Sequence, residues 1–343
     1  MSKISKFKVV ILGNSGLGSL ELSYKTAFEY LGYEVLLLDV NKHINNYVPF
    51  GKLGNYVNTF IGIDPWIIKG NRDLVLKIKN FNPELTLVFC NANFIPGSLA
   101  FLKSICNSII GLIWPDTIFN LGNNIIANHN LYDFVGCYRS NSIPVFKDIG
   151  FKNVFWLPLA ADQWLHGVDT ISPIYRYDLA FIGGWRPERE TTLSLIKDKF
   201  PKAKLLIKGP EWLKRCKIKS LKANIDDGIA VGSDFAKLIN VSKINLNIID
   251  ITNFPAANMR FFEIPMCNGF QLSSSCPEFE SIFKEQNHLS YYDSENSLIS
   301  KINYYLNLDN LSLSKIILNA NQLVYNEHTY VHRAKQLIKT IRL

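Results

Sequence analysis

Two arginines stand just beyond a Gly-Gly turn in the stretch DLAFIGGWRPERETTL, residues 178–193. The stretch reads as a strand, a tight turn at Gly183 and Gly184, and a helix entry bearing Arg186 and Arg189. Backbone amides beside guanidinium forks at a helix start suit phosphate oxygens, because both donate to an anion in a fixed geometry. Two solvated arginines on a surface helix are the plainer alternative. LLIKGPEW, residues 205–212, puts Lys208 and Gly209 at the end of the next strand. That is the sheet edge at which open α/β folds bind ligands. Further on, SKINLNIID (242–250) runs through ITNFPAANM into a short helix with Arg260 and Glu263, three apart and so neighbours on one face. A carboxylate in a first helical turn is favoured by the helix dipole and can accept two hydrogen bonds from a ribose diol. A local Arg260–Glu263 ion pair that only holds the loop competes with that reading.

A second glycine turn, ILGNSGLGS at 11–19, places Gly13, Gly16 and Gly18 in the order GxxGxG, whereas a dinucleotide fingerprint is GxGxxG. Asp39 does end the following strand at a suitable distance for a ribose. Three readings stay open: a nicotinamide cofactor, a turn that needs glycine for its backbone angles, and a loop in which Gly13, Asn14, Ser15 and Gly16 offer bare amides to an anionic or hydroxylated ligand. Asp116 in IWPDT and His129 in IANHN are the candidates for a catalytic base. No metal site is expected. His328 and His332 lie four apart without a completing acid or Cys, Asp226 and Asp227 read as a solvated turn, and the six cysteines form no CxxC pair. Those cysteines suit the core of a cytoplasmic protein.

These residues need a scaffold that gathers them at one edge. Short apolar runs alternate with longer mixed segments, the pattern of strand-helix-strand units and parallel sheets. Strands are expected near 8–12, 34–39, 84–90, 108–114 and 152–157, and again near 177–184, 203–209, 243–250, 269–275 and 288–293. Between the two series, PLAADQWLHGVDTISPIYRY (158–177) has prolines and no sustained period, and it reads as a connection. The expected organisation is a domain at 1–160, a linker at 161–177, a second domain at 178–325 and a C-terminal helix at 326–343 that crosses back towards the first domain. Two such domains imply a cleft, where small ligands bind. With 343 residues, 48% of them hydrophobic, the chain can bury two cores. Its net charge of +8 is spread out and not concentrated in an arm, which favours an anionic ligand, a membrane surface or nucleic acid. The start, MSKISKFK, is basic, but the apolar run after it is too short for a signal peptide or a membrane span. Arg333, Lys335, Lys339 and Arg342 make the C-terminal helix basic beside Leu337, Ile338 and Ile341, which suits a solvated outer face or peripheral contact with an anionic membrane.

Several segments, in this order, resemble the CgeB-like (spore protein) glycosyltransferases, which are similar to the retaining GT-B group that uses nucleotide sugars. They are YDLAFIGGWRPERETTL, SKINLNI, MRFFEIPMCNGFQLSS, PEFESIF with LSYYDSENSLISKINYYL, and NEHTYVHRAKQLI. The likeness covers roughly residues 130–343; before that only AFEYLGYEV and the α/β character agree. The resemblance implies a GT-B fold, two Rossmann-like domains facing each other, and a nucleotide sugar such as a UDP-sugar held by the C-terminal one. On that analogy Gly183, Gly184, Trp185 and Arg186 line the donor site with Asn258, Arg260 and Phe261. Arg189 and Lys208, next to Gly209, neutralise the diphosphate, and Glu263 takes the ribose. No cofactor is implied, and cations would replace Mg²⁺, since no DxD stretch suits a metal diphosphate. One departure stands out: the retaining group carries a second glutamate eight residues upstream of this one, where this chain has Pro255. An inactive sugar-nucleotide binder and an NAD-dependent oxidoreductase remain as alternatives. The acceptor class stays open between glycan, protein and nucleic acid.

Overall fold

The computed structural model describes residues 7–90 and 92–341, so Arg342 lies outside the described residues. The chain divides into two compact units, one holding the residues up to Pro158 together with those from Arg333, the other Leu159 to His332. Each is built on a six-stranded, all-parallel sheet.

In the first unit the strands are β1 (Lys8–Gly13), β2 (Glu34–Asp39), β3 (Leu85–Phe89), β4 (Ile109–Trp114), β5 (Phe134–Cys137) and β6 (Val154–Trp156). They lie in the order β2-β1-β3-β4-β5-β6. β3 is buried along its whole length, as expected where helices cover both faces of a parallel sheet. The helix Leu20–Tyr30 opens on Ser19, whose hydroxyl accepts the Leu22 amide, a standard N-cap.

The second unit contains β7 (Tyr177–Ile182), β8 (Leu205–Gly209), β9 (Ile225–Asp227), β10 (Ser242–Asn247), β11 (Gln271–Ser274) and β12 (Ser290–Tyr292). The order β12-β11-β10-β7-β8-β9 is that of a doubly wound nucleotide-binding sheet. The chain moves outward from β7 through β8 and β9, then restarts at β10 on the other flank. A crevice therefore opens between the ends of β7 and β10, and the two loops that leave there border it.

Ten strands fall where the sequence pattern puts them: β2 has the expected bounds, β1 ends one residue later, β10 is shifted towards the N-terminus, and the others are trimmed by a residue or more. β5 and β9 were not foreseen. The first is only four residues, and the second is three residues, two of them exposed acids. The segment read as a connection holds a helical turn, Gln163–His166, capped by Asp162.

The C-terminal helix, Tyr330–Ile341, uses its apolar face for packing: Ala334 and Leu337 are fully buried. Arg333 Nε donates to the Pro158 carbonyl at 2.9 Å, and Gln336 Nε2 to that of Trp156 at 2.8 Å. Lys335 and Lys339 remain exposed.

Candidate active site

The turn after β7 is held by backbone contact with the turn after β8. The Gly183 amide donates to the Lys208 carbonyl at 2.8 Å, and the Trp212 indole donates to the Gly183 carbonyl at 2.8 Å. Gly209, at φ +156°, lies so close that a Cβ there would come within 2.1 Å of the Gly183 oxygen. Glycine is thus required on steric grounds. Trp185 donates its indole N–H to Glu190, whose other oxygen accepts the amides of Lys217 and Ile218, so this tryptophan anchors the start of the helix Pro187–Lys199. That helix begins without a side-chain cap, and Gly184 has no acceptor for its amide among the described residues. Donors at this corner are free for an incoming anion.

Three guanidinium groups meet here. Arg189 donates to the Gly184 carbonyl at 2.9 Å and lies 3.4 Å from Asp250 across the β7–β10 crevice. Its Nε is buried with no partner. Burial pulls the Arg189 guanidinium below its ordinary value, opposed by Asp250 and reinforced by Arg186 and Arg260. Arg186 is exposed. Arg260 donates Nε to the Ile182 carbonyl at 3.1 Å, rests 4.2 Å over the Phe235 ring, and pairs through NH1 with Glu263.

Glu263 is almost wholly buried, with His166 Nε2 3.7 Å from its other oxygen. Asn258 organises the approach: its oxygen accepts the Phe261 amide, and its Nδ2 donates to Asn247 at the end of β10. Asp250 folds its own loop, accepting from the Thr252 amide and from Asn253.

The structure therefore gathers Gly183, Gly184, Arg186, Arg189, Asn258, Arg260 and Glu263 around one crevice. Two of the proposed donor residues fall elsewhere. Lys208 turns towards β9, bonding Asp226 at 2.8 Å and the Asp227 carbonyl at 3.0 Å, because the sheet register sets it opposite Asp226. Asp226 is thus a counter-ion and not simply a solvated turn residue. The Phe261 ring packs at 4.9 Å from Phe283 and 5.6 Å from Phe279, fully buried, and serves the core. Asp250 and His166 were missed by sequence reasoning. An acid closing the apolar run INLNIID, just past the carboxyl end of β10, was the available signal for Asp250; His166 becomes visible only once Asp162 is recognised as an N-cap.

The glycine loop of the first unit has a different chemistry. The Asn14 amide donates to Glu21 at 2.8 Å, that of Ser15 to Asp39 at 3.0 Å, and that of Gly16 to the Asn14 side chain at 2.7 Å. Gly13 leaves room for the Glu21 carboxylate, which a Cβ would approach to 2.3 Å. The expected bare amides are therefore occupied. Asp39, the acid a nicotinamide reading needs for a ribose, also accepts from the Ser15 hydroxyl and caps the Lys42 amide.

Asp116 follows β4 at the carboxyl edge and accepts from the Thr117 amide and from Asn120. Together with Glu21, it adds to the burial that pushes the Cys90 thiol up to about 12. His129 lies before β5 and packs on Phe151 and beside Gly150, ahead of β6. In a parallel sheet that is the amino edge, opposite Asp116, so the two base candidates are not brought together.

His328 packs among Phe262, Phe279 and Phe283, and His332 bonds Thr329, both structural settings. Among the described residues no group of three or more His, Cys, Asp or Glu is spaced to hold a metal ion, and no disulfide joins any of the six cysteines. No described helix is long and apolar enough to cross a membrane.

Residues 186–339, which include Arg186, Arg189, Asn258, Arg260 and Glu263, match the family model described as glycosyl transferase-like. A search of curated proteins gives no sequence match. Among solved structures, a glycosyltransferase from Rickettsia africae superposes with a TM-score of 0.66 at 13% identity, covering 97% of each chain. Anabaena Alr3699/HepE in complex with UDP-glucose gives 0.64 at 12%, over 98% of this chain and 99% of that one. Sucrose-phosphate synthase from Thermosynechococcus elongatus gives 0.67 at 9%, over 98% of both. The fold is GT-B. The family match over residues 186–339 and the GT-B fold both liken the chain to glycosyltransferases.

Proposed function

We propose that the β7–β10 crevice holds the diphosphate of a nucleotide sugar, with Arg189 as its principal counter-charge. The observation that carries this reading is the convergence of Arg186, Arg189 and Arg260 on one sheet edge, next to the unused Gly184 amide. Sugar transfer develops negative charge on the departing diphosphate, and preorganised cations in a partly dry site stabilise it most. Guanidinium groups do so without a metal, so turnover is metal-independent in this reading. Donor binding exchanges partners: Arg189 leaves Asp250 for phosphate, and Arg260 leaves Glu263, whose carboxylate then accepts the ribose hydroxyls.

A UDP-sugar is the first donor to test, supported by the complex of the similar Anabaena protein with UDP-glucose. Asp116, at the carboxyl edge of its sheet, is our candidate for the acceptor hydroxyl; unchanged turnover in Asp116→Asn removes it. The narrower kinship with CgeB-like enzymes is part of the proposal, supported by MRFFEIPMCNG and NEHTYVHRAKQLI. So is a cytoplasmic setting, supported by six cysteines outside any disulfide.

The experiment is a panel of UDP-, GDP-, TDP- and ADP-sugars assayed for released nucleotide, with and without EDTA. Release unaffected by EDTA is expected from at least one donor. Release abolished by EDTA and restored by Mg²⁺ or Mn²⁺ overturns the cation reading. Thermal stabilisation by NAD and by none of the nucleotides would return the first glycine loop to consideration.

A further inference from the structure

The helix Gly51–Ile61 in the first unit is amphipathic with its faces reversed. At about 100° per residue, Leu53, Tyr56, Phe60 and Ile61, with the flanking Phe50, fall within an arc of about 140°. All five are exposed, between 65% and 83%. The side that meets the protein flanks this arc and carries Gly54, Asn55 and Asn58, with Val57 half-buried within the arc itself. Gly54 is buried against Pro49, whose carbonyl oxygen a Cβ would approach to 1.9 Å, and Asn55 and Asn58 are half-buried beside it. Tyr56 and Phe60 stack with ring centres 4.8 Å apart. A globular helix ordinarily turns such a stripe inward, so this one is built to be covered by something else.

Charge selects the cover. Residues 46–63 hold Lys52 and no acid, and residues 39–80 hold six Lys or Arg against three Asp, with Lys42 paired to Asp39 and Lys77 to Asp73. A second copy of the chain would set this excess of cations against itself, whereas an anionic lipid surface complements it. Phe, Tyr, Leu and Ile on one side of a helix lying in the headgroup plane is the composition of an interfacial anchor. We propose that the helix Gly51–Ile61 docks the protein on an anionic membrane surface, its Leu53–Phe60 face entering the lipid. The packed apolar face of the C-terminal helix has no part in this. The proposal is independent of the donor site.

The test is co-sedimentation of the full chain with vesicles of phosphatidylcholine alone or mixed with phosphatidylglycerol, beside the double variant Leu53→Ser/Phe60→Ser and the single variant Tyr56→Ser. Wild type is expected to pellet with the mixed vesicles and to be released by added salt. The double variant should bind at least about tenfold more weakly, the loss expected when inserted apolar side chains are removed. All three residues are exposed, so the variants should keep the wild-type thermal midpoint, and Tyr56→Ser keeps the test decisive if the double variant does not. Four outcomes overturn the proposal: wild type that stays in the supernatant, equal binding to both vesicle types, variants that bind like wild type, or light scattering that shows a wild-type dimer lost in the variants.

Discussion

The two glycine turns, one after β1 and one after β7, have the same topology and opposite electrostatics. Each follows the first strand of a parallel sheet and feeds a helix. At the first, Glu21 and Asp39 supply acceptors to consecutive amides, so the loop is closed by carboxylates from its own unit. At the second, Arg186, Arg189 and Arg260 surround amides of which one is left unused. A glycine pattern specifies a backbone path; the charges packed around that path decide whether an anion can stay there.

The comparison breaks most sharply at Arg189. We expect Arg189→Ala to lower kcat/KM for the nucleotide sugar by about 10²- to 10³-fold, the usual effect of deleting a donor to developing negative charge. Loss of less than tenfold would make the second turn as inert towards anions as the first.

Backbone substitutions come next. Gly209→Ala brings a Cβ onto the Gly183 oxygen at a positive φ and should cost about 2–3 kcal/mol of stability. Gly16→Ala meets only the Asn14 side chain, at 3.1 Å, and should cost less than about 1 kcal/mol. Denaturant unfolding of the two variants measures the difference.

The acidic loop answers to pH. Burial raises the Asp39 carboxyl, but the Lys42 and Ser15 amides and side chains outweigh it and hold the group below its usual value near 3.8. A lowered acid contributes stability above its unfolded pKa and loses it as pH falls through the folded one. Asp39→Asn should therefore unfold at a lower temperature than wild type at neutral pH, with the gap closing in acid below that value.

Glu21 has the reverse sign. Burial raises its carboxyl above 4.5, the Asn14 amide opposes this, and Asp39 adds to the rise. Its ionised form is the disfavoured one in the fold, so the stability it lends is present below the unfolded pKa and lost as pH rises. Glu21→Gln, which keeps an oxygen for the Asn14 amide, should raise the thermal midpoint slightly at pH 7 and not at pH 4. This is the smallest expected effect, and calorimetry at the two pH values reads it.

Much of this arrangement was legible in the sequence. β1 and β7 announce themselves as short apolar runs leading into glycine, and the three-residue spacing of Arg260 and Glu263 puts them on one helical face. What could not be read was the choice of partner between distant segments. Lys208 meets Asp226 because β8 and β9 pair in that register, and Arg189 meets Asp250 because β10 returns beside β7. Nor could the sequence show that Asp116, after β4, and His129, before β5, reach opposite edges of the sheet. β9 escaped notice because its two acids lie on an exposed edge strand, where no hydrophobic pattern is demanded.

The hydrogen bond from Arg333 to Pro158 joins residues 175 positions apart within a single unit. A ribosome must therefore emit all of the second unit before the first receives its closing helix. During synthesis the β1–β6 sheet waits with one flank unfinished, and β7–β12 is free to fold first even though it is made later.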